Sequence, residues 1–354
     1  MPIENIGELR ELIVREGLNW QVRELPADYR PFGLGWEPAD PDDDARAVEI
    51  GSQLLAKARL EPEAIIRNTR LSLDHIRDIL RLLPAKEFDW RDHGVIGPVR
   101  DQGQCGSCVS FACTGLVGAQ AEIELGVDDL HLSEADSHFC SSHGASCGGW
   151  NNPSCLDQIR TRGVLTDASF PYANAFDSPP VFDANGLWMP HCHSSRLRWW
   201  HTYSITNYTA HTGDDRKTYL SSIGPLVCSF EVFEDFDNYG GGVFQHVTGN
   251  SRGWHAVLVV GYSDVDQAWI CRNSWDPNQW GPSTALADGT GAGFFKIAYG
   301  NSGIDNNPMY GCRGVIAPHP LFDIRLDHQR ILKDIDPGPV RFKYVRDFLR
   351  ERNQ

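Results

Sequence analysis

The sequence has no apolar run close to the roughly 20 residues that a membrane-spanning helix needs, no internal repeat and no low-complexity tract. Its first residues, MPIENIGELRELIVREG, lack a basic start and an apolar middle, so we expect an amphipathic helix there rather than a secretory signal. Basic residues are scarce as well: 32 Lys and Arg stand against 47 Asp and Glu, a formal net charge of −15. These features disfavour nucleic acid and membranes as partners.

The composition that remains is typical of a globular protein, since 41% of the 354 residues are hydrophobic and eleven are tryptophan. A chain of this length can bury one large core or two smaller ones and still carry an appendage. We predict a helical appendage over 1–84, a mixed helix and strand region over 85–318, and a charged tail over 319–354. The middle region is divided into a mainly helical half, about 85–202, and a mainly β half, 203–318.

Apolar periodicity in the appendage predicts helices at about 5–16, 43–60 and 71–83. The stretch 25–44 is punctuated by proline and glycine, and we therefore expect it to be extended and irregular. Its aromatic and glycine-rich part, Phe32 to Trp36, is the part of the appendage that we expect to enter a cleft. The alternative is a permanent helical subdomain packed on the back of the protein.

Ten cysteines contrast with the absence of a visible export signal. Disulfides are expected in oxidising compartments, so the cysteine pattern favours an extracytoplasmic protein. A cytoplasmic protein with free thiols and export without a signal both remain open at this point. The sequence alone does not distinguish these compartments.

A short glycine-rich loop combines the two groups that thiol catalysis needs. Gln102 stands six residues before Cys108, and Cys108 opens an apolar helical stretch that Ser107 can cap. A thiolate is the attacking species, and a helix N-terminus stabilises it. Gln102 and Cys108 are therefore candidates for an oxyanion donor and a nucleophile.

A base for that thiol is found in a predicted hairpin. Two apolar strands, about 255–262 and 268–273, are joined by a link so short that they should pair antiparallel. A turn centred near residue 264 makes paired residue numbers sum to about 528, which places His255 beside Asn273. An amide oxygen next to an imidazole selects its tautomer and orientation. Trp275, two residues on, could shield that hydrogen bond from water.

The order Cys, His, Asn and the motifs around these residues resemble the papain-like cysteine peptidases over 85 to about 317. The matching pieces are Asp89-Trp90-Arg91, Pro98 to Cys108, Cys147-Gly148-Gly149, Gly253-Trp254-His255-Ala256 and Arg272-Asn273-Ser274-Trp275. The stretch 224–249 is most similar to cathepsin B among the animal members. The resemblance implies an α+β fold with a helical left domain, a β-barrel right domain and the active cleft between them.

The resemblance also assigns roles. It implies Cys108 as nucleophile, His255 as base and acid, Asn273 as orienter, and an oxyanion hole formed by the Gln102 side chain and the Cys108 N–H. Residues implied in substrate binding are Gly148, Gly149, Trp254 and Trp275. Implied disulfides are Cys105–Cys147 and Cys140–Cys192. We expect a peptide or protein substrate, no cofactor and a monomer.

Two departures from the family pattern concern the walls of the cleft. Val109 stands where the family usually has tryptophan, and one residue is missing between Cys147 and the glycine pair. An insertion, Asp276 to Gly291, follows Trp275. None of these removes a reacting group.

Three alternatives stay open. The same thioester chemistry could serve transpeptidation or peptide maturation, with an amine in place of water. The chain could be a catalytically silent binding protein of the same fold. A zinc site could be formed by Cys140, His143, Cys147 and Cys155, or by His191-Cys192-His193, although the spacings are irregular for structural zinc.

Overall fold

The computed structural model describes residues 5–60, 86–141, 143–172, 181–182, 188–189 and 202–318, and the statements below concern these residues. The predicted helix at 71–83, Cys192, the histidines beside it and the tail 319–354 lie outside them. No helix in the described part of the chain is both long enough and apolar enough to cross a bilayer.

The α-helices of the described residues are α1 Ile6–Arg15, α2 Pro41–Leu60, α3 Cys108–Leu125, α4 Glu134–Phe139, α5 Asn152–Arg162 and α6 Asp215–Ser222. Two of the predicted appendage helices therefore form, α1 and α2. Helix α1 is capped by Asn5, whose side chain accepts a hydrogen bond from the Glu8 N–H at 3.1 Å, and it buries Leu9 and Ile13. Between α1 and α2 the chain is extended and irregular, as the proline and glycine content predicts.

Helix α3 is the central helix of the molecule, and almost every one of its residues is buried. It contacts two long strands of the sheet, which is why its sequence is apolar around most of its circumference. Ser107 precedes this helix as predicted, but its side chain makes no capping bond. Its hydroxyl instead lies 2.7 Å from the hydroxyl of Tyr172, which fastens the helix start to the 166–172 loop.

The strands are β1 Glu87–Asp89, β2 Val164–Leu165, β3 Val181–Phe182, β4 Trp188–Met189, β5 Thr202–His211, β6 Leu226–Phe233, β7 Val243–Phe244, β8 Ser251–Ser263, β9 Ala268–Arg272, β10 Phe294–Ala298 and β11 Met309–Ile316. A nine-stranded sheet has the order β2-β5-β11-β6-β8-β9-β10-β7, with β1 paired to β8. Its neighbours are antiparallel except β7 and β10. This sheet forms the β half, and the helices α3, α4 and α5 dominate the other half, an α+β architecture.

The β8–β9 hairpin forms, but its predicted register is wrong. The turn places Ser263 opposite Ala268, so it is centred further along the chain than residue 264. A bulge between Val259 and Gly261 then shifts the register again, and the last pair is Leu258 with Arg272. Asn273 therefore lies just beyond the paired strand, where the Gly293 carbonyl accepts its N–H at 3.0 Å.

Candidate active site

Cys108 is the first residue of α3, and its side chain is completely buried. Its Sγ accepts a hydrogen bond from the backbone N–H of Ala256 at 3.4 Å. Because Ala256 follows His255 on β8, this contact brings the helix start and the histidine strand together. The backbone of Gly35, in the appendage, also interacts with the sulfur and favours its thiolate.

His255 is held by Asn273, as the sequence predicts, although by a different register. Its Nε2 lies 2.8 Å from Asn273 Oδ1, and its Nδ1 has no hydrogen-bond partner among the described residues. Since Asn273 Oδ1 accepts, Nε2 carries the hydrogen of the neutral ring and Nδ1 is the free basic nitrogen. The Trp275 ring lies 4.9 Å from the imidazole and buries it from that side.

The Gln102 side chain is fixed at both ends. Its Nε2 donates to the carbonyls of Gly33 and Cys105, each at 2.9 Å, and its Oε1 accepts from Ser274 Oγ at 2.6 Å. The Ser274 N–H in turn donates to Asn273 Oδ1 at 2.8 Å. Ser274 thus links the oxyanion donor to the orienting amide, a role that sequence reasoning missed although the Asn-Ser-Trp run contains it.

Replacing Ser274 with alanine is expected to lower kcat about tenfold with a smaller change in KM. The loss of one buried hydrogen bond leaves Gln102 Oε1 unpaired and lets its donor leave the position that it holds. Steady-state kinetics of the active form measure the effect. Gln102→Ala should lower kcat further, by about 10²- to 10³-fold, because it removes the oxyanion donor itself. If Ser274→Ala lowers kcat as much as Gln102→Ala or more, Ser274 does not act by positioning Gln102.

In this structure the thiol and the imidazole are both neutral. Burial raises the pKa of Cys108 to about 11, against the opposing effect of the backbone groups of Ala256 and Gly35. Burial likewise lowers the pKa of His255 to about 4, although its bond to Asn273 favours the protonated ring. Desolvation disfavours any charged form, so the thiolate–imidazolium pair requires that the site be uncovered.

The cover is a short part of the appendage, residues 32–37, which we call the cleft segment. The Trp150 N–H donates to the Gly35 carbonyl and the Glu37 N–H donates to the Trp150 carbonyl, both at 2.7 Å. Trp150 is one residue beyond the glycine pair expected to bind substrate. The close approach of the cleft segment requires glycine at residue 149, because a Cβ there would lie only 2.9 Å from the Gly35 carbonyl oxygen.

Aromatic side chains of the cleft segment pack on both sides of the site. The Phe32 ring stacks nearly parallel on Trp275, with centroids 5.1 Å apart. On the other side, the Trp36 ring lies 5.2 Å from that of Trp254, and the Trp36 N–H donates to the Trp254 carbonyl at 3.2 Å. Both tryptophans of the predicted substrate site therefore contact the cleft segment.

A buried carboxylate anchors the residues before the cleft segment. Tyr29 donates its hydroxyl to Asp237 Oδ1 at 2.9 Å, and Arg252 forms an ion pair with the same oxygen. Arg252 also donates to the Phe32 carbonyl at 3.1 Å. The charge of Asp237 is thus compensated by groups from both the appendage and the β half.

Another cysteine and histidine lie close together, but they cannot form a catalytic pair. Cys105 Sγ is 3.7 Å from His138 Nε2, yet Cys105 is in a disulfide with Cys147 and has no thiol. That disulfide agrees with the pairing implied by the resemblance. Cys140 is also disulfide-bonded, and Cys192, its implied partner, lies outside the described residues.

The disulfides remove two of the four ligands of the zinc site considered at Cys140, His143, Cys147 and Cys155. Cys140 and Cys147 are oxidised and offer no thiolate, and Cys155 is a buried free thiol in the core of the helical half. Four further cysteines of the described residues are also buried free thiols, namely Cys113, Cys228, Cys271 and Cys312.

A cysteine at a helix start, near a histidine whose ring is held by an asparagine amide, is an arrangement suited to thiol chemistry. A family model described as papain family cysteine protease matches residues 84–312, and the chain belongs to that family. Falcipain-2b of Plasmodium falciparum is 31% identical over 260 residues, covering 68% of this chain and 48% of the relative. A cathepsin B-like protein, CP3 of Giardia intestinalis, is 32% identical over 222 residues, covering 59% of this chain and 68% of the relative.

Solved structures share the fold. Procathepsin B S9 of Trypanosoma congolense aligns with a TM-score of 0.58 and 18% identity, covering 88% of this chain and 99% of the other. Digestive procathepsin L2 of Tenebrio molitor aligns with a TM-score of 0.59 and 23% identity, covering 87% and 88%. The chain spans about half the length of the falcipains that it matches.

Proposed function

We propose that the protein hydrolyses peptide bonds through Cys108 and His255. With the site uncovered, His255 Nδ1 takes the thiol proton and the sulfur attacks the substrate carbonyl carbon. The Gln102 amide and the Cys108 N–H stabilise the resulting oxyanion. His255 then returns the proton to the leaving amine as the C–N bond breaks, which leaves a thioester on Cys108.

Water completes the cycle. His255 takes a proton from water, whose oxygen attacks the thioester, and the thiol leaves with that proton. An amine in place of water would give transpeptidation. Product analysis by mass spectrometry with added amines separates the two outcomes, and we expect hydrolysis products to dominate.

One observation carries this proposal: His255 Nε2 is bonded to Asn273, its Nδ1 has no hydrogen-bond partner among the described residues, and the N–H of the next residue, Ala256, donates to Cys108 Sγ at 3.4 Å. A histidine that served packing alone would not need an unpaired nitrogen on the strand that contacts the thiol. The proposal is tested by peptide cleavage with Cys108 and His255 variants, as set out in the Discussion.

We further propose that the cleft segment inhibits the enzyme until it is displaced. The Gly33 carbonyl accepts a hydrogen bond from the Gln102 amide, and the Gly35 backbone interacts with the Cys108 thiol and favours its thiolate. The segment thus occupies the oxyanion donor and covers the nucleophile. Both solved structures above are of procathepsins, and their alignments cover more of this chain than lies after residue 84.

Acidification is expected to weaken docking of residues 32–60. Burial lowers the pKa of His255 to about 4 and that of His211, which Gly51 of α2 covers, to about 3. Released imidazoles return toward about 6.5, so the released state binds more protons and is favoured as the pH falls below 6.5. Burial raises the pKa of Asp237 to about 6 and also raises that of Asp44 on α2, so these two carboxyls oppose release, while the two histidines carry the larger shifts.

Hydrogen exchange of the Trp36 and Glu37 amides measures this effect, corrected for the intrinsic pH dependence of exchange. Protection should fall between pH 6.5 and 4, and His211→Gln should flatten the profile. His131→Gln is the matched control, because His131 is paired with the exposed Asp129 rather than covered by α2. Protection that rises on acidification would show that Asp237 and Asp44 dominate instead.

A further inference from the structure

The insertion after Trp275 contains an occupied guanidinium site. Arg23 of the appendage donates through Nη1 to the carbonyls of Gly281 and Pro277, the latter at 3.5 Å, and through Nη2 to that of Asn278 at 2.8 Å. We call these three carbonyl oxygens the carbonyl cup. An arginine fork matches such a set of acceptors better than a single ammonium does, because its donors point outward in one plane.

The carbonyl cup is held in shape by bonds that do not involve Arg23. The Trp280 N–H donates to the Asp276 carbonyl at 2.9 Å, and the Trp280 indole donates to the Phe236 carbonyl at 2.9 Å. Asp276 Oδ1 accepts the Asn278 N–H at 2.9 Å. Because these bonds do not depend on Arg23, we expect the three carbonyls to keep their positions when Arg23 leaves.

Charge favours a cationic occupant. The insertion, residues 276–291, contains no lysine or arginine and includes Asp276 and Asp288. Burial acts to raise the pKa of Asp288, but hydrogen bonds from Thr290 and the Gly242 N–H together outweigh it and lower the pKa. Hydrogen bonds between a charged donor and fixed carbonyls are stronger than those between neutral groups.

Ring contacts connect the cup to the histidine that would protonate the leaving amine. His255 packs on Trp275 at 4.9 Å, and Trp275 packs on Trp280 at 5.2 Å. Trp280 lies in the chain between Asn278 and Gly281, whose carbonyls belong to the cup. An extended chain advances about 3.3 Å per residue, so we expect the cup to be reached about two to four residues beyond the scissile bond, on the leaving-amine side.

We propose that, in the uncovered enzyme, the carbonyl cup binds an arginine side chain of the substrate two to four residues after the scissile bond. The proposal rests on the peptidase function proposed above. In the covered state Arg23 occupies the cup, so displacing the appendage both opens the cleft and empties this subsite. The enzyme would then select protein segments with arginine on the leaving-group side.

The test uses the full-length chain with Gly35→Ala to open the cleft and Arg23→Ala to empty the cup. Matched peptides carry arginine, lysine or the neutral isostere citrulline at the second, third or fourth position after the scissile bond. At one of these positions kcat/KM should be about tenfold higher for arginine than for citrulline, with lysine between them. Restoring Arg23 should reduce this preference by competition.

Binding without hydrolysis separates this proposal from the peptidase function. In the same chain carrying Cys108→Ala, the arginine peptide should bind about tenfold more tightly than the citrulline peptide by fluorescence anisotropy. If that preference appears but the chain that retains Cys108 cleaves none of the peptides, the proposed peptidase function is wrong and the proposed arginine site is supported. Equal binding of the two peptides would show that the cup serves only to anchor Arg23.

A loop variant adds a second check. Gly281 has a φ of 64°, so Gly281→Ala strains the backbone and redirects its carbonyl, while the new Cβ meets nothing closer than 4.0 Å. The ratio of kcat/KM for the arginine peptide to kcat/KM for the citrulline peptide should fall toward one. Gly289→Ala, at a φ of 81° in the same insertion, is the matched control and should keep the preference.

Discussion

Replacing Cys108 with alanine should abolish peptide hydrolysis, with a loss of about 10⁴-fold or more in kcat. In the proposed mechanism the Cys108 thiol forms the acyl intermediate, and the oxyanion donors alone give only a small residual rate. The measurement is cleavage of a fluorogenic peptide by the chain with an opened cleft. His255→Ala should lose a similar factor, and the double variant should lose little more, because the two groups act as one unit.

The matched control for this loss is Cys113→Ala. Cys113 is a second buried free thiol on the same helix, five residues further along and outside the site. Its removal should lower stability slightly and leave kcat nearly unchanged. Comparable losses for both variants would mean that the effect of Cys108→Ala is structural.

Gly35→Ala should raise the activity of the full-length chain about 30-fold. A Cβ at residue 35 would overlap the Gly106 carbonyl, and Gly106 cannot yield easily, because its N–H donates to Cys147 at 3.0 Å beside a disulfide. The appendage must therefore move. Overpacking of this kind costs about 2 kcal/mol or more, which is a factor of about 30 in the docked population.

Gly7→Ala is the control for that increase. Gly7 lies on α1, away from the cleft, and a Cβ there meets only Asn5 Oδ1 at 3.3 Å. The control should leave full-length activity unchanged. If Gly35→Ala behaves like Gly7→Ala while a chain beginning at Ala85 is active, the cleft segment is held by contacts other than those at Gly35.

The sequence predicts the reacting groups because each depends on local signals. A thiol at a helix start and a histidine at a strand entrance can be recognised from their neighbours in the chain. The predicted contact between His255 and Asn273 is present, but the β8–β9 strand register from which it was predicted is wrong. The turn lies further along the chain than predicted and the bulge in β8 corrects only part of that shift, and neither could be read from the alternation of residues.

The rest of the site depends on contacts between distant parts of the chain. The bond from Ser274 to Gln102 spans 172 residues, and that from Arg23 to Asn278 spans 255. No periodicity or spacing signals such pairs. The cleft segment pairs with the backbone of Trp150 rather than with that of the glycine pair. This pairing depends on the close approach of Gly35 to Gly149, which only three-dimensional packing reveals.

Covalent labelling by an epoxide inhibitor of cysteine peptidases tests the central claim most directly. After reduction and peptide mapping, the adduct should be found on Cys108 in the chain carrying Gly35→Ala, with labelling slowed by at least tenfold in the unmodified chain. His255→Ala should abolish the adduct in both. Failure of Cys108 to react in the opened chain, or equal labelling of Cys113, would contradict the assignment of the active site.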